Sequence, residues 1–278
     1  LFRSECIPLL HASLSRDQTQ HASFAEVCKT LDGVFGLVMY DRHNKVVYVG
    51  RDRIGIRSLY YANVPNGIVV CSEQKGLLIH EKVTPRPFPP GSWARVDISN
   101  PLIEPLAYWS VEHIPIYPAD WASFDISQYM SIPRNENYLG LCMELNAVLT
   151  RPVHKRLLSD KPIGCVLAGG LDSTVVTAIV CKLYRRLYPH GPPMRTYTIG
   201  MEGAEDFKWA RKAAVHFGTD HHEFVLTPDE FLRAIPDVIR QIESYDVTTV
   251  RASVGNWLLA KKIAELGLDT VIFCGDVA

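Results

Sequence analysis

Ile163-Gly164-Cys165-Val166-Leu167-Ala168-Gly169-Gly170-Leu171-Asp172-Ser173-Thr174 reads as a short buried strand, a double-glycine loop and the first turn of a helix. The helix is marked by Val176, Ile179, Val180, Leu183 and Leu187, which recur at helical spacing. A strand that passes through glycines into a helix N-terminus is built to bind an anion. Glycines let backbone amides approach phosphate oxygens, and the helix end adds unpaired N–H groups and the positive end of its dipole. Ser173 and Thr174 add hydroxyl donors. Asp172 suits such a site only if a cation stands between it and the phosphate, and Mg2+ takes carboxylate and phosphate oxygens together. The loop is neither GxxxxGK[ST], since no lysine follows the glycines, nor GxGxxG. An ordinary capped helix start would use the same residue types.

Outward from this loop, strands and helices alternate. Arg195–Ile199, His222–Leu226 and Thr270–Phe273 read as strands, and 172–188, 204–217, 228–242 and 249–265 as helices. That order predicts parallel βαβ units. Upstream, from about Glu136, Leu141, Leu145, Val148 and Leu149 mark one face of a further helix, which Pro152 can kink. The first third reads differently. Val34–Tyr40, the turn Asp41-Arg42-His43-Asn44 and Val46–Val49 make a hairpin, with a further strand expected at Gly55–Tyr61. Pro65-Asn66-Gly67 is a turn before Ile68–Cys71, and Phe24–Leu31 a short helix. The stretch Pro85–Pro133 holds nine of the eighteen prolines and reads as a surface connection, with Trp93, Trp109 and Trp121 packed onto its neighbours. The fold class is therefore α/β, an antiparallel β-rich part followed by a parallel, doubly wound part.

The 278 residues suffice for one large or two ordinary domains. With 47% apolar and 21% charged residues the chain is neither disordered nor fibrous. A net charge of −1 gives no electrostatic case for nucleic acid or a membrane surface. The most apolar stretch, Pro162–Cys181, is interrupted by the glycine loop and Asp172, so no membrane span is expected. Seven well-separated cysteines lack zinc spacing and fit a reducing, cytoplasmic setting, with Cys165 and Cys274 ending apolar runs as core thiols do. His221-His222-Glu223 alternates across a strand and reads as a strand-edge pair rather than a metal site. Lys182, Arg185 and Arg186 read as a solvated helix face. A chain that starts at Leu1 and stops just past a strand is expected to be a piece of a longer one.

Ala168-Gly169-Gly170-Leu171-Asp172-Ser173 resembles the SGGxDS pyrophosphate loop of the N-type ATP pyrophosphatases. Within that group the chain resembles the glutamine-hydrolysing asparagine synthetases. The supporting segments are Thr198-Ile199-Gly200-Met201, Ile242–Ser253 and Phe273-Cys274-Gly275-Asp276. Upstream, Leu31–Phe35, Gly50-Arg51-Asp52 with Gly55, and Ser72-Glu73 with Lys75-Gly76-Leu77 resemble the end of that family's glutaminase domain. The resemblance implies residues 1–108 as part of a type 2 glutamine amidotransferase domain, 109–135 as a Pro-rich connector and 136–278 as the front of the ATP-pyrophosphatase domain. It implies ATP and Mg2+, aspartate, and glutamine or ammonia as partners, with a homodimer as the assembly considered. Leu167 and Ile199 would meet the adenine nucleotide, with Cys274 and Gly275 beside it. Ala168, Gly169, Gly170, Asp172 and Ser173 would hold the pyrophosphate, Asp172 through Mg2+. Thr248, Thr249 and Arg251 would stand near the aspartate or the intermediate, and Asp276 would support the adenylate. Arg251 suits a carboxylate fork, although a surface salt bridge at a helix start would use the same residue.

Some positions depart from the family pattern. Ala168 replaces a Ser, Cys274 a Ser, Asp276 a Glu and Ser58 a Pro. The family's N-terminal cysteine nucleophile is not in this sequence; Ser4-Glu5-Cys6 resembles a later glutamine-binding segment, and Cys6 has no free α-amine to act as its base. Two alternatives share these motifs: a β-lactam-synthetase-like enzyme acting on another acid, and a degenerate nucleotide-binding homologue.

Overall fold

The computed structural model describes residues 20–65, 67–78, 83–110 and 136–275. The chain divides into two compact units, Leu1–Ala122 and Ser123–Ala278.

The first unit contains helix α1 (Gln20–Thr30) and strands β1 (Gly36–Asp41), β2 (Val46–Arg51), β3 (Tyr60–Val64), β4 (Gly67–Cys71), β5 (Arg86–Pro87), β6 (Ser92–Asp97) and β7 (Leu106–Ala107). They form two sheets, β1-β2-β6-β7 and β4-β3-β5, antiparallel throughout. Alternation along β2 explains the layering. Val47 and Val49 face a core shared with Leu59, Tyr61, Phe88, Ala94 and Val96, whereas Val46 and Tyr48 face α1 through Phe24, Cys28, Trp93 and Tyr108. The β1–β2 turn is closed by the Asp41 carboxylate, which accepts from the amides of His43 (2.9 Å) and Asn44 (3.1 Å). These bonds hold its carboxyl below the usual carboxylate value.

Two expectations change here. The strand expected at Gly55–Tyr61 starts only at Tyr60. Residues before it wrap Asp52, whose buried carboxylate accepts from the amides of Gly55 (2.7 Å), Ile56 (2.9 Å) and Arg57 (3.0 Å). Gly55 sits at φ +76°, so the turn needs glycine there. The Pro-rich stretch is also not all connection. Its first part contributes β5, β6 and β7, and Trp93 lies inside the sheet, because Pro87 is the last residue of β5 and the prolines at 89 and 90 lie between strands rather than interrupt them. Trp121 lies outside the described residues.

The second unit contains α2 (Glu136–Arg156), β8 (Ile163–Val166), α3 (Leu171–Leu187), β9 (Arg195–Met201), α4 (Glu205–Phe217), β10 (Asp220–Leu226), α5 (Pro228–Ile242), α6 (Val247–Leu266) and β11 (Val271–Phe273). Its sheet has the order β10-β9-β8-β11, and every pair is parallel. Helices cover both faces. On one, Val153 of α2, Leu157 just after it, and Ile179, Val180 and Leu183 of α3 pack with Ile163 and Cys165, and Ala210 and Ala214 of α4 pack with Leu167. On the other, α5 and α6 pack with Leu226, Ile199 and Tyr197 through Val238, Val250, Val254, Leu259 and Ile263. The α/β class with antiparallel sheets and a parallel, doubly wound sheet is thus the observed fold. In α2 the face marked by Leu145, Val148 and Leu149 is exposed, and it is Val153 of the last turn, with Leu157 just after the helix, that enters the core.

β11 is fixed by a buried cluster just before it. The Asp269 carboxylate accepts from Arg195 Nε (2.9 Å) and Nη2 (2.5 Å) and from the Tyr197 hydroxyl (2.5 Å). Gly164 leaves room for this cluster: a Cβ there would lie 2.6 Å from Asp269 Oδ2.

Candidate functional site

The sheet order places a switch point between β8 and β11. From β8 the chain runs through α3 to β9 and through α4 to β10, then returns by α5 and α6 on the opposite face to β11 on the other side of β8. Open α/β sheets bind ligands at the carboxyl ends of the strands flanking such a reversal. Here those ends carry Leu167–Gly170 after β8 and Cys274-Gly275 after β11.

The two segments meet. A Cβ on Gly275 would lie 2.5 Å from the backbone nitrogen of Ser173, so β11 ends directly against the first turn of α3. On its other flank the loop rests on α4. A Cβ on Gly169 would lie 2.7 Å from the Asp206 carbonyl oxygen, 2.8 Å from the Ala210 nitrogen and 2.9 Å from Trp209 Cβ, and Gly169 itself has φ +87°. Both glycines are therefore required by close backbone approach. Gly170 differs. It caps α3 with extended backbone and no side-chain cap bond, and nothing lies within 4 Å of where its Cβ would be. The space over Gly170 at the N-terminus of α3 is thus open, on the side where a helix end receives an anion, whereas the Ser173 amide is covered by Gly275. Asp172 is exposed in that turn. Thr174 Oγ1 donates to the Gly170 carbonyl oxygen (2.6 Å), and Ser173 Oγ to the same atom (3.2 Å). Ala168 is exposed.

Leu167 is fully buried against Ala210 and Ala214, and Ile199 packs between the sheet and the α5–α6 layer. The two side chains therefore pack on opposite faces of the sheet. Cys274 is exposed rather than a core thiol, because Phe273 is the last residue of β11 and the chain leaves the sheet after it; Cys165, inside β8, is buried as expected. Burial pushes the Cys165 thiol well up from its usual value.

The first turn of α6 stands at the same edge of the sheet. Val250 and Val254 pack with Ile199 and Leu226 near the carboxyl ends of β9 and β10, while Ile263 packs further down with Tyr197. Asp246 caps this helix, accepting from the amide (2.8 Å) and hydroxyl (2.8 Å) of Thr249. Those bonds hold the Asp246 carboxyl below its usual value. Thr249 is therefore engaged by the cap, whereas Thr248 and Arg251 are exposed beside it. Asp276 lies outside the described residues. Asp206, Trp209 and Ala210 carry no motif; only their common helical face marks them as the loop's support.

Away from this edge, His221 Nδ1 lies 2.9 Å from Thr196 Oγ1, and Arg211 makes a bidentate pair with Glu223 (2.7 and 2.6 Å). Burial pulls the His221 imidazole below its usual value. Among the described residues no group of three or more His, Cys, Asp or Glu could hold a metal by itself, and no helix is long and apolar enough to cross a membrane.

Residues 144–278 match the asparagine synthase family, and residues 4–79 the glutamine amidotransferase domain family. The asparagine synthetase [glutamine-hydrolyzing] of Gallus gallus is 33% identical over 261 residues, covering 90% of this chain and 45% of that protein. That of Homo sapiens is 36% identical over 256 residues, covering 88% of this chain and 44% of that protein. The chain thus spans less than half the length of these relatives. Among solved structures, an NH3-dependent NAD synthetase from Campylobacter jejuni subsp. jejuni covers 47% of this chain and 54% of its own, at 12% identity and a TM-score of 0.31, too partial a likeness to bear on the site. The resemblance read from the motifs holds: the chain is related in sequence to the glutamine-hydrolysing asparagine synthetases over nearly its whole length.

Proposed function

We propose that this relative of the asparagine synthetases is part of an ATP-dependent asparagine synthetase. The aspartate side-chain carboxylate attacks the α-phosphorus of ATP, giving the acyl adenylate and pyrophosphate. Ammonia from glutamine then attacks the acyl carbon, AMP leaves with the bonding electrons, and the surplus proton goes to solvent. The observation that carries this reading is the seat of Gly275 against the amide of Ser173 at the switch point.

The chain's own residues act mainly by position and charge. Amides from Gly169 to Asp172 and the Ser173 hydroxyl, with the α3 dipole, hold the diphosphate and stabilise the charge that develops as it leaves. The exposed carboxylate of Asp172, beside the open space at Gly170, fits Mg2+, which when bound neutralises the diphosphate. Leu167 and Ile199 meet the adenine nucleotide, with Cys274 and Gly275 at its side. Arg251 and Thr248 receive the aspartate, Thr249 fixes their turn through Asp246, and Asp276 supports the adenylate. In the same reading residues 1–108 belong to the glutaminase, 109–135 connect, and 136–278 belong to the synthetase, in a cytoplasmic enzyme that works as a homodimer.

Isotope exchange between pyrophosphate and ATP tests it on the full-length protein. Exchange that requires both Mg2+ and aspartate is expected. Exchange supported by a different acid and not by aspartate would make the chain a relative with another substrate, and ATP binding without exchange would make it a non-catalytic one.

A further inference from the structure

Resting on the nucleotide reading above, we propose that Lys212 of α4, braced on the indole of Trp209, faces the phosphates of bound ATP and supplies the positive charge that the loop lacks. Ala168–Thr174 contains no basic residue and one acid, Asp172. The loop instead leans on α4, whose Asp206, Trp209 and Ala210 touch Gly169. Trp209 is 46% exposed, and its Nε1 lies 3.4 Å from Glu205 Oε1, one turn earlier. The ring is thereby tied back toward the N-terminus of α4, the end that follows the carboxyl end of β9 and abuts the loop.

Two ammonium groups sit over that ring. Lys212 Nζ is 4.5 Å from its centroid and Lys208 Nζ 5.4 Å. Neither forms an ion pair among the described residues. Long helical side chains lean toward the helix N-terminus, which directs Lys212 across the indole toward the loop. The aromatic face holds the cation without neutralising it. A phosphate chain on the α3 amides would thus find a charge already oriented beside it.

The test is a titration of the intact protein with ATP and Mg2+, followed by tryptophan fluorescence and by pyrophosphate exchange. Lys212→Gln is expected to raise the ATP dissociation constant about tenfold, the size of one charge-assisted contact, and to leave the KM for aspartate unchanged. Lys212→Arg is expected to recover most of the loss. Trp209→Phe, which keeps an aromatic brace, is expected to retain most of the affinity and to lose the ATP-induced fluorescence change. Parent-like ATP affinity in Lys212→Gln, or a fluorescence change that persists in Trp209→Phe, would overturn the proposal. A parent protein that fails to bind ATP would instead overturn the nucleotide reading, and this inference with it.

Discussion

Two glycines at the crevice differ in what a methyl group would meet, and that difference separates binding from stability. At Gly275 a Cβ would press on the Ser173 nitrogen at 2.5 Å, so Gly275→Ala must push β11 and α3 apart. It is expected to lower the melting temperature and to weaken ATP binding together. At Gly170 the backbone is ordinary extended conformation and the space is open. Gly170→Ala is expected to leave the melting temperature unchanged or slightly raised, while its methyl group intrudes where the diphosphate lies and weakens ATP binding. Calorimetric ATP binding beside thermal melts distinguishes the two. A parallel loss of stability in both variants would contradict the assignment. Ala168 allows the opposite change. Ala168→Ser returns a hydroxyl donor to an exposed loop position, and one such bond to a charged group is worth roughly 1.5–3 kcal/mol. Tighter ATP binding by about tenfold or more is the expected result of the same calorimetric titration.

At the scale of elements, the ends of α6 and β11 are held by devices that differ in how plainly the sequence shows them. Asp246 before a helix is legible as a cap, and it is one. Its carboxyl is held below the ordinary value of 3.8 by the Thr249 bonds. The cap's contribution is therefore complete above that ordinary value and is lost as pH falls through the lowered one. Asp246→Asn keeps a good capping group without a titrating charge. It is expected to match the parent melting temperature near neutrality and to lose less of it in acid, as thermal melts between pH 2 and pH 7 would show. The β11 anchor is not legible locally, because Asp269 is far in the chain from Arg195 and Tyr197 and meets them only after the sheet forms. Asp269→Ala strands a mostly buried guanidinium and is expected to cost roughly 3 kcal/mol, read by denaturant unfolding. Two other misreadings have causes of their own. Gly55–Tyr61 has the composition of a strand, but Asp52 collects the amides of residues 55, 56 and 57 and turns the chain before Tyr60. Leu145 and Val148 have helical spacing, yet periodicity reveals a face without revealing what covers it.

For the whole molecule, the alternation of strands and helices after Glu136 was enough to read a parallel, doubly wound unit, and the hairpin chemistry before Cys71 an antiparallel one. Strand order was not legible. Nothing local says that β11 returns to the far side of β8, and that return creates the crevice and brings Cys274-Gly275 to the loop. The motif supplied the residues, and the topology supplied their meeting. The most direct test is a crystal structure of the protein with a non-hydrolysable ATP analogue and Mg2+. The account predicts diphosphate oxygens within hydrogen-bonding distance of the amides between Gly169 and Ser173, with Asp172 on the metal side. A nucleotide bound elsewhere, or those amides left facing solvent beside an occupied site, would contradict it.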